Sequence, residues 1–182
     1  MGSMNPTESA VLVVVAPAEP VVGELRAAYD RSTAWGVPPH VTVLYPFVPP
    51  AELDDSVRER LAAAIGTVPS FDLTFTRTAW FGEEVLWLAP EPADPLKALT
   101  AAVSAAFPDF PPYAGAHDEV IPHLTVAYGT SPAVLRAAAE SVEARLPIGL
   151  RVSEAMLYVG SPSPGSWRPV AALPLGPAGT TP

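Results

Sequence analysis

The sequence predicts an α+β fold of two pseudo-symmetric lobes, each an antiparallel sheet with helices on its outside, around a central cleft. The periodic segments follow the order strand, helix, strand, helix, strand, and this order then occurs a second time. One eight-residue phrase occurs once in each repeat, as PHVTVLYP at 39–46 and as PHLTVAYG at 122–129. Because the two copies are 83 positions apart, they indicate the duplication of a whole lobe.

The first repeat opens with VLVVVA (11–16), an apolar run with the length of a buried strand. An amphipathic pattern near 20–31 predicts a helix, and HVTVLYPF (40–47) predicts a strand that is ended by a proline. ELDDSVRERLAAAIG (52–66) places apolar residues four apart, as an amphipathic helix does. FDLTFTR (71–77) alternates apolar and polar residues and predicts a half-buried strand.

The second repeat gives the same series of elements. A polar residue followed by proline marks each helix start, which predicts Asp94 and Ser131 as the N-caps. A Pro-rich loop at 108–122 leads directly into the second copy of the phrase. The predicted elements of this half are strands at 85–90, 123–129, 150–160 and 167–176 and helices at 94–107 and 131–147.

No linker separates the repeats, so we expect a single bilobal domain over residues 5–176. Its first lobe is predicted to span about 10–82 and its second about 83–176, with a short tail at 177–182. The opening MGSM (1–4) resembles the remnant of an expression tag before a native start at the second methionine.

The charge balance limits the partners that this chain can bind. Ten Lys and Arg residues against nineteen Asp and Glu residues give a formal net charge of −9, whereas tight binding to long nucleic acid needs a basic surface. We therefore expect a small ligand, or a nucleic-acid end of which only the terminus is bound. No apolar run could span a membrane and no signal peptide pattern is present, so a cytoplasmic monomer is the default expectation. Zero cysteines exclude disulfides, thiol catalysis and zinc sites built on thiolates.

The repeated phrase places a histidine and a threonine on one face of each predicted strand, because side chains alternate along a strand. His40 and Thr42 share one face, and His123 and Thr125 share the corresponding face in the second copy. The opposite faces carry the apolar and tyrosine side chains of the two phrases: Val41, Val43, Tyr45, Leu124, Val126 and Tyr128. This parity predicts that both tyrosines pack in the core. If the lobes pack about a two-fold axis, the two His-Thr pairs meet in one cleft.

Two histidines that face one ligand can act as a base and an acid near neutral pH, since the ordinary pKa of imidazole is near 6.5. Threonine hydroxyls can donate to phosphate oxygens and stabilise charge in the transition state. Such a set suits cleavage of a phosphodiester without a metal, and a zinc site is disfavoured because no third ligand stands at a suitable spacing. Two of the three histidines being followed by apolar-Thr-apolar is a coincidence on the order of one in a thousand.

PHVTVLYPF and PHLTVAYG resemble the two His-x-Thr/Ser-x signature motifs, with x apolar, of the 2H phosphoesterase superfamily, which includes the bacterial 2′-5′ RNA ligase-like proteins. The resemblance covers nearly the whole chain, including the closing strand WRPVAALPL. It implies a bilobal α+β fold with a central cleft. The implied activity is hydrolysis of a 2′,3′-cyclic phosphate without metal or cofactor, with 2′-5′ ligation as the reverse activity.

The same resemblance assigns roles to the repeated residues. It implies that His40 and His123 are the acid–base pair and that Thr42 and Thr125 bind the phosphate, while the choice of base and acid is left open. RNA-acting relatives are expected to carry basic residues around the cleft, and this acidic chain departs from that pattern. A small cyclic nucleotide is therefore at least as suitable a substrate as an RNA end.

Other residues near the two phrases are candidates for substrate contacts. Trp35 and Tyr113 precede the first and the second copy, where an aromatic ring could stack on a base or pack locally. Arg168 and Arg151 on the closing strands could supply positive charge to a phosphate, although solvent-facing positions are favoured for both. His117 lies in the Pro-rich loop, where an exposed position is favoured over a role in covering the cleft.

Two alternatives to an enzyme are compatible with the sequence. The same fold could bind a nucleotide or a phosphate end without turnover, although intact His and Thr in both copies argue against this. The duplicated lobes could also be a scaffold for protein interaction, which the acidic, Pro-rich composition permits without predicting it.

Overall fold

The computed structural model describes residues 5–179, so the predicted tag remnant at 1–4 and the end of the predicted tail lie outside the described residues. The described residues form eight β-strands and five α-helices, joined in places by short 3-10 turns. The strands are β1 (Glu8–Val14), β2 (His40–Leu44), β3 (Phe71–Phe81), β4 (Val85–Glu91), β5 (Leu124–Tyr128), β6 (Ile148–Val152), β7 (Glu154–Gly160) and β8 (Arg168–Pro174). The helices are α1 (Glu19–Tyr29), α2 (Arg31–Trp35), α3 (Asp55–Gly66), α4 (Asp94–Ala106) and α5 (Pro132–Glu143).

The strands form two four-stranded antiparallel sheets, in the orders β2-β1-β7-β8 and β5-β4-β3-β6. The predicted α+β class, with two antiparallel sheets and helices around them, is confirmed. The predicted lobe boundary near residue 82 does not match the sheets, because β3 from the first repeat pairs with β4 and β6 of the second sheet. The short turn between β3 and β4 explains this membership, since two strands joined so closely pair as a hairpin.

The predicted single strand at 150–160 is two strands that belong to different sheets. β6 pairs with β3 in the second sheet, whereas β7 pairs with β1 and β8 in the first. The chain crosses between the sheets at Ser153. Neither a glycine nor a proline stands at this crossover. The alternation nevertheless changes phase there, because two consecutive polar residues, Ser153 and Glu154, interrupt it, and the single-strand prediction missed this signal.

One continuous core of buried side chains extends across both sheets and the apolar faces of the helices. The helix α1 packs on β5 and α4 packs on β2, so a helix from each repeat covers the phrase-bearing strand of the other repeat. The strands β2 and β5 also contact each other. The core residues of the two phrases are Val41, Val43, Leu44, Leu124, Val126 and Ala127. The packing therefore brings the two copies of the phrase to the junction of the sheets.

The helix ends show how local signals set the elements that frame this junction. Asp54 accepts a hydrogen bond from the Val57 backbone N–H, and Ser131 accepts one from Val134, so both act as N-caps. The helix α4 begins at Asp94 itself, and the predicted N-cap role of Asp94 is wrong by one residue. Within residues 5–179, no helix is both long enough and apolar enough to cross a membrane.

Candidate active site

The two motif histidines are held in the same way by backbone carbonyls. His40 is the first residue of β2, and its Nδ1 lies 2.7 Å from the carbonyl oxygen of Pro38. His123 directly precedes β5, and its Nδ1 lies 2.7 Å from the carbonyl oxygen of Ile121. A carbonyl can only accept a hydrogen bond, so the proton of each neutral ring lies on Nδ1 and Nε2 remains an acceptor. Each copy of the phrase therefore presents one imidazole base in the same tautomer.

The two threonines lie beside these histidines, each half-buried in its strand. Thr42 pairs with Leu12 of β1, and Thr125 pairs with Trp87 of β4. Because directly opposed residues share a sheet face, Thr125 lies on the same face as the Trp87 indole, which His123 contacts at a centroid distance of 5.9 Å. The predicted pairing of His and Thr on one face is thus observed in both strands.

The His40 half of the site contains a cavity of about 150 Å³ with mostly apolar walls. One wall comes from the β7–β8 connection, where the Trp167 backbone N–H donates to the Trp35 carbonyl at 2.9 Å. The Trp167 ring lies directly over Gly160, where any side chain would overlap it. The lining residues are Ala10, Leu12, Ser32, Trp35, Val37, His40, Thr42, Tyr45 and Trp167.

The His123 half contains a wider cavity of about 480 Å³. The His123 ring packs edge-on against Phe81 at 5.0 Å, and Phe81 stacks on Trp87 at 4.7 Å. The loop before β5 supplies most of the remaining wall. The lining residues are Phe81, Val85, Tyr113, His117, Glu119, Val120, Ile121 and His123.

Tyr113 connects the two halves. Its backbone N–H donates to the Tyr45 carbonyl at 2.7 Å, and its hydroxyl interacts with the Thr42 side chain, while its ring lines the His123 cavity. Tyr113 adopts a left-handed backbone conformation with φ of 51°, which is uncommon for a residue with a side chain. Burial raises the pKa of the Tyr113 phenol, while the contact with Thr42 opposes this shift, so the phenol is neutral at pH 7. The loop of the second repeat is therefore fastened to the strand of the first.

Burial controls the protonation of both histidines. It lowers the pKa of His40 to about 4, with the Pro38 carbonyl opposing the shift and the charges of Arg26 and His123 adding to it. Asp30 opposes this shift as well. Burial also lowers the pKa of His123, and only the Ile121 carbonyl opposes it. Both rings are therefore mainly neutral at pH 7.

The prediction that Tyr45 and Tyr128 lie in the core on the face opposite the histidines is wrong, since both are half-buried and Tyr45 packs at the edge of a small cluster beside His40. Tyr45 lines the His40 cavity, and its hydroxyl donates to Glu8 at 3.0 Å. The Tyr128 hydroxyl accepts a hydrogen bond from the Arg31 backbone N–H at 3.2 Å. The β1–β2 and β4–β5 ladders each shift register within the phrase, so strict alternation ends before the tyrosine. In β2 the shift buries both Val43 and Leu44 and returns the next side chain to the histidine face.

The remaining predicted contacts divide into those at the site and those away from it. Trp35 lines the His40 cavity and Tyr113 lines the His123 cavity. His117 is exposed, as expected, and also lines the His123 cavity with its ring edge-on to Tyr113 at 5.6 Å. Arg168 is exposed at the start of β8 and lines neither cavity. Arg151 pairs with Asp72 at 3.1 Å on the surface of the second sheet.

Three aromatic residues of the site were not predicted from the sequence. Trp167, Phe81 and Trp87 lie on strands or at strand ends far from the phrases in the chain. Only the sheet pairing places them beside the histidines, and a tryptophan in an alternating pattern fits a core position equally well. Of the three, Trp87 stands inside a strand that the sequence predicts, at 85–90.

The two cavities have no positive charge in their lining within the described residues. The carboxylate Glu119 lines the wider cavity, and Lys97 pairs with it at 3.6 Å. Among residues 5–179, no group of three or more His, Asp or Glu side chains is arranged to hold a metal ion. A phosphate bound here would be held by hydroxyl, imidazole and backbone groups.

The two sheets, and a histidine and threonine from each at their junction, define a protein of the 2H phosphoesterase class. A family model described as the 2′-5′ RNA ligase superfamily matches residues 13–162, most of the chain, so this chain belongs to that superfamily. No curated protein sequence matches the chain.

Several solved structures are similar to this fold. Apo LigT of E. coli has 21% sequence identity and a TM-score of 0.60, with 94% of this chain and 98% of that chain covered. TT0787 of Thermus thermophilus has 18% identity and a TM-score of 0.60, with 93% and 98% covered. E. coli LigT in complex with 3′-AMP has 19% identity and a TM-score of 0.57, with 94% and 99% covered. Other structures of E. coli LigT are complexes with NADP+, ATP and phosphate. At these identities the likeness shows a shared fold.

Proposed function

We propose that this protein is a phosphodiesterase that hydrolyses 2′,3′-cyclic phosphates by acid–base catalysis with His40 and His123, without a metal or a cofactor. The observation that carries the proposal is the pair of identically held imidazoles, each with a threonine beside it, on two strands in contact. Membership of the 2′-5′ RNA ligase superfamily supports the reaction class. With the 5′-hydroxyl of a ribose in place of water as the nucleophile, the same machinery would break the bond from phosphorus to O3′ and leave a 2′-5′ linkage.

The proposed reaction needs one proton removed and one proton supplied. One histidine takes a proton from water through Nε2 as the water oxygen forms a bond to phosphorus. The bond from phosphorus to one ribose oxygen breaks, and the other histidine, protonated beforehand, gives its proton to that oxygen. The Thr42 and Thr125 hydroxyls donate to the non-bridging oxygens, where negative charge increases in the transition state. The product is a phosphomonoester with one free ribose hydroxyl.

We assign the base to His40 and the acid to His123. The pKa of His40 is lowered to about 4, by burial first and by Arg26 and His123 as well, so its ring is neutral over most of the working range. His123 lies in the wider cavity, and no cation contributes to the lowering of its pKa. The first proton taken up by the pair therefore goes to His123, which gives a neutral base and a charged acid.

The proposed substrate is a small cyclic nucleotide, or the terminal nucleotide of an RNA end. Trp35 and Tyr113 each offer a ring on which a base could stack, one in each cavity. The formal net charge of −9 does not favour contacts to a long phosphate backbone. The complexes of E. coli LigT with 3′-AMP, ATP and NADP+ support a nucleotide-sized ligand on this fold.

The proposal is tested by turnover of nucleoside 2′,3′-cyclic phosphates in the presence of EDTA. We expect hydrolysis by the wild-type protein and a loss of about 10³-fold in kcat for His40→Ala and for His123→Ala, because general acid–base catalysis contributes about 10² to 10⁴. His117→Ala removes a histidine that lines the same cavity outside the two motifs, so it is expected to act on KM and to keep most of kcat. Full activity in either motif variant would contradict the two-histidine mechanism.

The alternative function is a binding module that holds a nucleotide without reacting with it. Tryptophan fluorescence can measure this directly, because two of the four tryptophans, Trp35 and Trp167, line the His40 cavity. Saturable binding of 3′-AMP with no turnover of any cyclic phosphate in the panel would favour that alternative over the enzyme.

A further inference from the structure

Behind the His40 cavity lies a buried ion pair that the proposed reaction does not use. Arg26 of α1 is 1% exposed, and its Nε donates to Asp30 at 3.0 Å. The Asp30 side chain is buried with it. A buried guanidinium is costly to desolvate, so the fold keeps one only where it is fully paired and hydrogen-bonded. The position of this pair next to one half of the site raises the question of what it holds in place.

The pair organises the segment that joins α1 to β2, residues 30–38. The Arg26 Nη2 donates to Ser32 Oγ at 3.0 Å and to the Val37 carbonyl at 3.2 Å. Asp30 accepts from both the backbone N–H and the hydroxyl of Ser32, at 2.9 and 2.7 Å, and so caps the five-residue helix α2. A helix this short has little stability of its own, so its position depends on these bonds.

This segment supplies the His40 half of the site with its wall and its orienting carbonyl. Ser32, Trp35 and Val37 line the cavity, and the carbonyl of Pro38 receives the Nδ1 proton of His40. The Val37 carbonyl, which accepts the hydrogen bond from the guanidinium, belongs to the residue directly before Pro38. A displacement of the segment would therefore move the ring wall and the imidazole together.

The same pair sets the electrostatic surroundings of His40. The positive charge of Arg26 lowers the pKa of His40 and the negative charge of Asp30 raises it. Both effects are smaller than that of burial. No such pair contributes at His123, where burial and the Ile121 carbonyl are the causes of the shift. The other titratable groups that face this half are His123 directly before β5, Tyr45 after β2 with its partner Glu8 of β1, Tyr113 through its contact with Thr42, and Tyr158 of β7.

We propose that Arg26 and Asp30 are positioning residues, which act through the 30–38 segment to hold His40 and its cavity in the geometry that the reaction requires. They touch neither the substrate nor the reacting atoms. This inference rests on the proposed function, because it takes His40 to be the base. Its consequence is that the two halves of the duplicated site differ in design, with a fixed base on one side and a loop-bound acid on the other.

Three single substitutions separate geometry from charge. Arg26→Lys keeps the positive charge but loses the forked donors, so we expect kcat to fall about 10-fold or more while the acidic limb of the pH profile stays in place. Arg26→Gln removes the positive charge, so the pKa of His40 and with it the acidic limb move to higher pH. Asp30→Asn removes the negative charge and moves both to lower pH. The exposed Arg77, which pairs with Glu91 at 3.7 Å far from the cavities, gives the matched control Arg77→Gln.

A second readout keeps the inference separate from the proposed activity. The chain has three histidines, so the ring signals of His40 can be assigned by NMR and titrated in each folded variant. We expect opposite displacements of the His40 titration in Arg26→Gln and Asp30→Asn, with the His123 titration little changed. If wild-type protein hydrolyses no cyclic phosphate, the proposed function fails while this titration still tests the electrostatic coupling.

The inference would be overturned by a folded Arg26→Lys protein with wild-type kcat together with a folded Asp30→Asn protein whose kcat and His40 titration both match the wild type. The pair would then contribute to stability alone. If Arg26→Gln does not fold, the other two variants carry the test, since Arg26→Lys keeps both charges of the pair and Asp30→Asn keeps the guanidinium and a side chain of the same size.

Discussion

The two halves of the site start from the same eight-residue phrase and differ in what surrounds it. In both, an imidazole Nδ1 lies 2.7 Å from the carbonyl two residues before it, and a threonine follows two residues later. The His40 half is a narrow cavity of about 150 Å³ backed by a buried ion pair. The His123 half is a cavity of about 480 Å³ bounded by aromatic edges and a loop. Duplication supplied the same reactive groups twice, and the segments preceding each strand made them unequal.

This inequality gives a physical basis for dividing acid and base between two identical residue types. A histidine acts as base where burial and a nearby cation keep it neutral, and as acid where protonation is less opposed. The sequence of the phrases contains nothing that could make this division. Two residues outside the phrases, Arg26 and Asp30, contribute to the division at His40. Arg26 lies in α1 and Asp30 directly follows it, ten or more positions before β2.

Among the remaining variants, we expect the largest effect from substitutions of the two motif threonines. They test whether both halves of the site bind the phosphate equally. Thr42→Val and Thr125→Val each remove one hydroxyl while keeping side-chain size, and we expect kcat to fall about 10²-fold in each, as for the loss of one transition-state donor. Steady-state kinetics on a nucleoside 2′,3′-cyclic phosphate measure both. Thr67→Val, at the exposed end of α3, is the matched control. A loss in one variant only would show that a single strand carries the phosphate.

A smaller effect tests which half receives the base of the substrate. Trp35 lies in the narrow cavity, and we expect Trp35→Ala to raise KM about 10-fold with kcat little changed, since stacking of a base on an aromatic ring contributes about 1 to 3 kcal/mol. Trp35→Phe keeps a ring and should restore most of the affinity. An unchanged KM in Trp35→Ala would move the base to the Tyr113 side.

The pH profile of kcat/KM tests the division of roles. Activity needs neutral His40 and protonated His123. It should therefore rise with pH through the pKa of the base, near 4, and fall as His123 loses its proton. Because burial lowers the pKa of His123 as well, the optimum should lie on the acidic side of 6.5. An optimum above pH 7 would contradict the lowered pKa values of the pair.

The fold class, the phrase-bearing strands and the His-Thr pairs were all predictable from the sequence because they depend on local periodicity. The hydrophobic stripes of the helices, the alternation in 71–77 and the short apolar run in 85–90 identify elements without any knowledge of their partners. The placement of β7 and β8 in the first sheet was not predictable, because strand pairing between distant segments has no local pattern. The error at Tyr45 has the same origin, since a register shift depends on the partner strand β1.

The smallest expected effect concerns stability and again distinguishes His40 from the other histidines. The pKa of His40 is about 4 in the folded protein and near 6.5 in the unfolded chain. As pH falls below 6.5, His40 becomes protonated in the unfolded chain but stays neutral in the folded protein. The free energy of unfolding therefore decreases until the pH reaches about 4. One such group contributes at most about 1.4 kcal/mol per pH unit.

Chemical denaturation of the wild type between pH 7 and 4 measures this slope. His40→Gln should reduce it, whereas His117→Gln, at an exposed loop position, should leave it as it is. An equal slope in His40→Gln and wild type would mean that the His40 ring is not desolvated. That result would contradict the distinction between a buried base and a more open acid.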